Sequence, residues 1–166
     1  MRTLLQRVSS ASVAIDDQTV GAIDRGLLVF LGVQRGDSKV TVDKLFDRII
    51  NYRIFNDIDG KMNLSVKDVN GDLLIVSQFT LVADTDRGRR PGFTAAAEPS
   101  LAKELYDHFI ARAQLLSVEA PADLKGPDNI ETLRIKVAAG IFGADMKISL
   151  VNDGPVTFML DIKPDS

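Results

Sequence analysis

Apolar residues along this chain recur with two spacings, and each spacing predicts one type of element. Over residues 3–15 apolar and polar side chains alternate, which predicts a strand with a bend or bulge at Ser9-Ser10. Residues 19–23 follow a turn and should pair back as a hairpin. The unbroken apolar run at 27–31 predicts a central strand.

Two other segments carry apolar residues at helical spacing. The first follows Gly36-Asp37-Ser38, which supplies residues that cap helices. Its apolar face consists of Val42, Leu45, Phe46, Ile49 and Ile50. The second begins near Pro99, a residue that suits the first turn of a helix, and its apolar side extends from Leu101 to Leu116.

The remaining apolar runs predict strands at 73–80, 133–137, 147–151 and 156–162. The resulting order of strands, helix, strand, helix and strands predicts a mixed α+β fold. The segment 117–131 contains two prolines and a glycine, and we interpret it as an exposed insertion.

Polar clusters directly follow two of the predicted strands. Ser77-Gln78 ends one apolar run, and Asn152-Asp153-Gly154-Pro155 ends another. Polar groups at the ends of buried strands are typical of small-molecule sites. Because Pro155 has no amide hydrogen, the Asp-Gly-Pro segment must form a turn or a projecting loop. From local sequence alone, an ordinary tight turn between two antiparallel strands is the simplest interpretation.

Arginines mark two further positions. Arg7 shares a face of the first strand with Leu5, and an inward arginine there should donate to backbone carbonyls or to a carboxylate. The polar loop at 82–97 carries Arg87, Arg89 and Arg90. These three residues could bind phosphates, although a solvated loop explains them almost as well.

Composition limits the chemistry. The chain of 166 residues has no cysteine and one histidine, which excludes disulfides, thiolate zinc sites and a cysteine nucleophile. His108 lies beside the apolar face of the second helix, where an edge position without catalytic duty is expected. The net charge is −3 and no apolar stretch is long enough to span a membrane, so we expect a soluble, intracellular protein. Catalysis without a metal would rest on backbone N–H groups, hydroxyls and positioned water.

The chain resembles the D-aminoacyl-tRNA deacylase family, also called the D-Tyr-tRNA deacylases, over nearly its full length. The most specific motifs are residues 77–81, SQFTL, and residues 152–157, NDGPVT. Further matching segments lie at 6–8, 26–33, 52–55, 60–63, 90–91 and 143–146. The main departure is the region 117–131, which is longer than in the bacterial forms.

This resemblance implies a fold, a site and a substrate. It implies a compact single domain over residues 1–166, with a mostly antiparallel, barrel-like sheet and two main helices. Such enzymes are cytoplasmic homodimers without a cofactor or metal, and their active site lies at the subunit interface. The implied catalytic residues are Ser77, Gln78, Phe79 and Thr80. The implied substrate-binding residues are Gly154, Pro155, Arg7, Asn152, Met146 and Ala144. With a tRNA substrate, the loop residues Arg87, Arg89 and Arg90 become the predicted tRNA-binding residues.

The same resemblance implies how the reaction is selective. A cis Gly154–Pro155 peptide enters the partner's pocket, faces the α-amino group and excludes an L side chain, while glycine can pass. The adenosine at the 3′ end of the tRNA binds beside the SQFTL segment. Two other hypotheses remain, namely a non-catalytic tRNA-binding dimer and a hydrolase of small free D-amino acid esters.

Overall fold

The computed structural model describes residues 1–86, 88–117 and 135–163. Its strands in chain order are β1 (Arg2–Ile15), β2 (Gln18–Ile23), β3 (Gly26–Gly32), β4 (Phe55–Asn56), β5 (Met62–Leu64), β6 (Asp72–Ser77), β7 (Val137–Ala139) and β8 (Lys147–Asp161). The helices are α1 (Lys39–Ile50) and α2 (Pro99–Gln114), with short 3₁₀ turns at Phe79–Val82 and Leu115–Ser117. None of the helices described is long and apolar enough to cross a membrane.

Strand β1 organises the sheet because it pairs with three other strands. Its first half pairs with β3 and its second half with β2, while β8 runs antiparallel to it along the opposite edge. Strand β6 adds parallel to β3, and β7 adds parallel to β6. Gly21 of β2 lies so close to β7 that a side chain there would meet the Ala139 carbonyl oxygen at 3.2 Å. The sheet therefore curls into a nearly closed barrel, which confirms the predicted α+β, barrel-like fold.

Apolar side chains form two clusters on the two faces of this curled sheet. The cluster inside the barrel consists of Val8, Ala11, Val13, Ile23, Leu28, Leu74 and Val76. The larger cluster joins the outer face to both helices, and the rings of Phe46 and Phe109 meet edge to face there at 5.4 Å. Both helices begin where the sequence predicts, with Ser38 as the N-cap of α1 and Pro99 as the first residue of α2.

Three strand predictions need comment. The register between β1 and β8 shifts between Val8 and Ser10, which confirms the irregularity predicted at Ser9-Ser10. The strand predicted at 73–80 is wrong at its end, because β6 stops at Ser77 and the chain turns into a 3₁₀ helix. Nearly all of the segment 117–131, and residues 133 and 134, lie outside the described residues. The strand predicted at 133–137 is placed too early, because residues 135 and 136 are not in a strand and β7 begins only at Val137.

Candidate active site

A pocket of about 500 Å³ opens at the carboxyl ends of the parallel strands β3 and β6. Its walls come from residues 77–79 after β6, from the first turns of α2, and from the loop 142–146. Ligands commonly bind at the carboxyl ends of parallel strands, because the loops that follow can face a ligand while the strands stay rigid. Five of the predicted site residues line this pocket, namely Ser77, Gln78, Phe79, Ala144 and Met146.

The turn after β6 leaves two backbone donors free. The Gln78 amide donates to the Leu31 carbonyl oxygen at 2.7 Å, so it continues the ladder between β3 and β6. The next two amides, of Phe79 and Thr80, begin the 3₁₀ helix and have no acceptor among the described residues. The first N–H groups of a helix lack partners within the helix and suit binding of a negatively charged oxygen. The site therefore offers two adjacent donors beside the pocket.

The Thr80 hydroxyl is held by its neighbour. The Gln78 side-chain amide donates to Thr80 Oγ1 at 2.5 Å, and Gln78 is half-buried while Thr80 is exposed. In the part of the chain that the structure describes, no carboxylate or imidazole accepts a hydrogen bond from this hydroxyl. A threonine nucleophile needs an adjacent base. The geometry therefore favours a positioning role for Thr80.

Tyr106 of α2 ties together two walls of the pocket. Its hydroxyl lies 3.0 Å from the Ile75 carbonyl oxygen and 2.9 Å from that of Gly140, while the Gly140 amide also donates to Ile75 at 2.8 Å. Burial raises the pKa of Tyr106 well above its usual value, and neighbouring Asp107 raises it further, so the hydroxyl stays protonated and can donate. The ring contacts Phe142 at a centroid distance of 5.9 Å.

The Asp-Gly-Pro segment is a bulge within β8, so its interpretation as a tight turn between two strands is wrong. Asn152 pairs with Val8 and Thr157 pairs with Gln6, so residues 153–156 of β8 lie opposite Arg7 alone. The chain keeps its direction and continues pairing with β1 on both sides. The Gly154–Pro155 peptide is cis, as predicted.

Asn152 closes the base of this bulge. Its side-chain amide donates to the carbonyl oxygens of Arg7 at 2.9 Å and Val156 at 3.0 Å, and its Oδ1 accepts from the Val156 amide at 3.1 Å. These three hydrogen bonds replace ladder bonds that the bulge interrupts. Gly154 has φ +146°, a conformation that residues with a side chain rarely adopt.

Arg7 holds the bulge from inside the sheet. The side chain is nearly buried, and its Nε donates to the Asp153 carbonyl oxygen at 3.0 Å. Its Nη1 donates to the Ile54 carbonyl oxygen at 2.7 Å and to Asn56 Oδ1 at 3.3 Å. The predicted hydrogen bond from Arg7 to a backbone carbonyl is confirmed, and the half-exposed Asp153 carboxylate balances the charge at 3.2 Å.

The bulge and the pocket do not meet within one subunit. Asp153, Gly154 and Pro155 are exposed, and neither they nor Arg7 and Asn152 line the pocket. Of the three loop arginines, Arg89 and Arg90 are exposed, while Arg87 lies outside the described residues. His108 occupies a boundary position as expected, with its Nε2 3.1 Å from Asp43 Oδ1.

Tyr106 is a pocket residue with a structural role that the sequence prediction missed. It follows Ala102 by four positions and Leu105 by one, so the spacing of the second helix places it on the buried face. A buried tyrosine needs a hydrogen-bond partner for its hydroxyl. This requirement could have marked Tyr106 as a structural residue, but the sequence pattern does not show which carbonyl oxygens its hydroxyl reaches.

Comparison with known proteins agrees with this geometry. The family model described as D-Tyr-tRNA(Tyr) deacylase matches residues 4–161. The chain belongs to this family. Proteins named D-aminoacyl-tRNA deacylase from Alcanivorax borkumensis and Pseudoalteromonas translucida are 49% and 51% identical to it, and each match covers 98% of this chain and 100% of the relative.

Solved structures show the same fold for this deacylase-family chain. One, of the c-Myc DNA Unwinding Element Binding Protein, has a TM-score of 0.82 and 32% identity, and the match covers 98% of this chain and 99% of the other. Another, titled as a probable eukaryotic D-amino acid tRNA deacylase, has a TM-score of 0.75 over 97% of this chain and 98% of the other. At 19% identity, the second likeness concerns the fold alone.

Replacing Tyr106 with phenylalanine should weaken the hydrogen bonds that hold the pocket walls of this family member, without leaving a cavity in its core. Tyr106→Phe keeps the ring but removes the hydroxyl, so the Gly140 carbonyl loses a donor while Ile75 keeps the Gly140 amide. We expect the free energy of unfolding in urea to fall by about 1 kcal/mol. Tyr52→Phe is the matched control, because its hydroxyl bonds to no described residue while its ring contacts Phe158. Equal losses in both variants would contradict the prediction.

Proposed function

We propose that this protein hydrolyses the ester bond of D-aminoacyl-tRNA and releases the free D-amino acid and tRNA. The observation that carries the proposal is the pocket at the ends of β3 and β6, with the unpaired amides of Phe79 and Thr80, in a chain of the D-Tyr-tRNA deacylase family. Glycyl-tRNA mischarged on alanine tRNA is a further substrate, because glycine has no side chain to exclude.

The reaction needs only groups that polarise the ester and place a water molecule. Water attacks the acyl carbon, and negative charge develops on the carbonyl oxygen, where the amides of Phe79 and Thr80 stabilise it. The bond from the acyl carbon to the ribose oxygen then breaks, and the ribose oxygen takes a proton that the attacking water supplied. Gln78 orients the Thr80 hydroxyl beside this oxyanion site. Ser77, Ala144 and Met146 shape the space around the aminoacyl group.

We place the chiral filter in the bulge of a second copy of the chain. In a homodimer, the carbonyl groups of Gly154 and Pro155 would face the α-amino group in the partner's pocket and leave no room for an L side chain. Rejection by rigid backbone works as a wall against the wrong enantiomer. The bulge is exposed and does not line its own pocket, which supports this arrangement.

The outer face of β8 supports the homodimer. Val151 and Met159 flank the bulge on this strand, and they are 59% and 60% exposed. Isologous contact between two copies would bury both apolar side chains and bring each bulge to the other subunit.

The loop arginines complete the proposal on the tRNA side. Arg89 and Arg90, together with Arg87, would contact phosphates of the acceptor end and position it without reading the amino acid. No cofactor enters the proposed mechanism, and a substrate used in translation places the protein in the cytoplasm. A non-catalytic tRNA-binding dimer and a hydrolase of small free esters are the competing hypotheses.

A single comparison of substrates separates these hypotheses. We expect steady-state hydrolysis of D-tyrosyl-tRNA to exceed that of L-tyrosyl-tRNA by more than about 100-fold, because only the L side chain meets the backbone wall. A free D-tyrosine ester should be a poor substrate because it lacks the phosphates. Binding without turnover of D-tyrosyl-tRNA would support the non-catalytic dimer, and equal turnover of the free ester would support the small-ester hydrolase.

Thr80→Ala should retain most of the activity. Loss of a true nucleophile costs on the order of 10⁶-fold in kcat, whereas we expect a loss of about 10-fold here, because the backbone donors remain. Single-turnover rates on D-tyrosyl-tRNA measure this, and Thr80→Ser is the control that keeps the hydroxyl. Isolation of an aminoacyl ester on Thr80 would overturn the assignment.

Mixed dimers test whether the bulge serves the partner's pocket. Gly154→Val should distort the bulge, because its added Cβ would lie 2.5 Å from Val156 Cγ2, and Ala144→Trp should fill the pocket. Each variant alone should be inactive yet dimeric by gel filtration. Random mixing should restore about a quarter of the wild-type activity, since half of the dimers are mixed and each has one intact site. If activity does not recover after subunit exchange, the bulge and the pocket of each active site belong to the same subunit.

A further inference from the structure

An exposed aromatic pair lies at the rim of the pocket. Phe79 is 60% exposed and lines the pocket, and Phe93 is 38% exposed and lies next to it, outside the lining. Their ring centroids are 5.0 Å apart with a tilt of 49°. The tilt leaves ring surface of both residues open to solvent, which is unusual for two adjacent large apolar side chains without a ligand.

Phe93 is held in place by the backbone around it. Asp84 and Gly92 exchange two hydrogen bonds of 2.7 Å and 2.8 Å, which close the loop just before Phe93. On its other side the Ala96 amide donates to the Phe93 carbonyl oxygen at 3.0 Å. A ring fixed in this way loses little conformational entropy when a flat ligand stacks against it.

The loop that ends at Phe93 is also positively charged at its tip. Arg89 and Arg90 are exposed between the paired residues Asp84 and Gly92, and neither forms an ion pair with a described residue. An aromatic platform next to unpaired arginines is typical of surfaces that bind single-stranded nucleic acid, where bases stack and phosphates contact the cations.

We propose that Phe93 stacks on the unpaired base that precedes the terminal adenosine of the substrate. This inference rests on the proposed function, which puts the terminal adenosine and its ester in the pocket beside Phe79. A strand that leaves the pocket past Phe79 meets Phe93 next, and its phosphates then reach Arg89 and Arg90. Stacking tolerates any base, so Phe93 contributes affinity for the acceptor end without sequence preference.

Two substrates of different length test this role. With D-tyrosyl-tRNA, Phe93→Ala should raise KM about 10-fold and leave kcat unchanged, because a lost stacking contact weakens binding alone. D-tyrosyl-adenosine lacks the nucleotide that would stack on Phe93, so with this substrate the same variant should behave as wild type. Phe93→Trp should keep the low KM for tRNA. Ile58→Ala is the control, because Ile58 is a fully exposed apolar residue on the β4–β5 turn.

Direct binding separates failure of this inference from failure of the proposed function. An unacylated RNA oligonucleotide ending in an unpaired 3′ segment should bind wild type about 10-fold more tightly than Phe93→Ala, whether or not hydrolysis occurs. Equal binding to both proteins, or an equal rise in KM for tRNA and D-tyrosyl-adenosine, would overturn the role of Phe93. If the wild type does not hydrolyse D-tyrosyl-tRNA but still binds the RNA more tightly than Phe93→Ala, only the hydrolase assignment is overturned.

Discussion

The shape of the bulge depends on the hydrogen bonds that the buried guanidinium of Arg7 donates to backbone carbonyls. Strand β8 pairs with β1 on both sides of Arg7, so the register is set at Val8 and at Gln6 and residues 153–156 cannot slide. A buried cation needs fixed acceptors, and Arg7 finds them in the Asp153 and Ile54 carbonyls. The extra residues must therefore project outwards with their backbone held from within.

The shape of the pocket depends on a second set of hydrogen bonds, separate from those of Arg7. Backbone hydrogen bonds join the ends of the parallel strands β3, β6 and β7. The Gln78 amide donates to the Leu31 carbonyl oxygen, and the Gly140 amide donates to that of Ile75. The Tyr106 hydroxyl bridges the carbonyl oxygens of Ile75 and Gly140. These bonds use the Gln78 and Gly140 amides, while the Phe79 and Thr80 amides have no acceptor among the described residues and remain open beside the cavity. Preorganised donors of this kind cost no rearrangement during a reaction.

Much of this architecture was predictable from the sequence, for identifiable reasons. The apolar face of α1 and its Ser38 cap are local patterns, and the structure follows both. Arg7 was predictable because an inward arginine must find acceptors. The end of β6 was not, because apolar residues continue past Ser77 and only tertiary pairing to Leu31 shows where the strand stops. The bulge was mistaken for a turn because local sequence cannot show that both of its flanks pair with β1.

The separation of bulge and pocket follows from the topology. Arg7 lies opposite Leu27 near the beginning of β3, whereas Ser77 lies opposite Leu31 near its end, so the two features are displaced along the same strand. Moving the bulge to its own pocket would require breaking the pairing of β8 with β1, the longest pairing in the sheet. A second copy can supply the bulge without any such rearrangement. The proposed assembly of two rigid copies would therefore satisfy both the fold and the proposed chemistry.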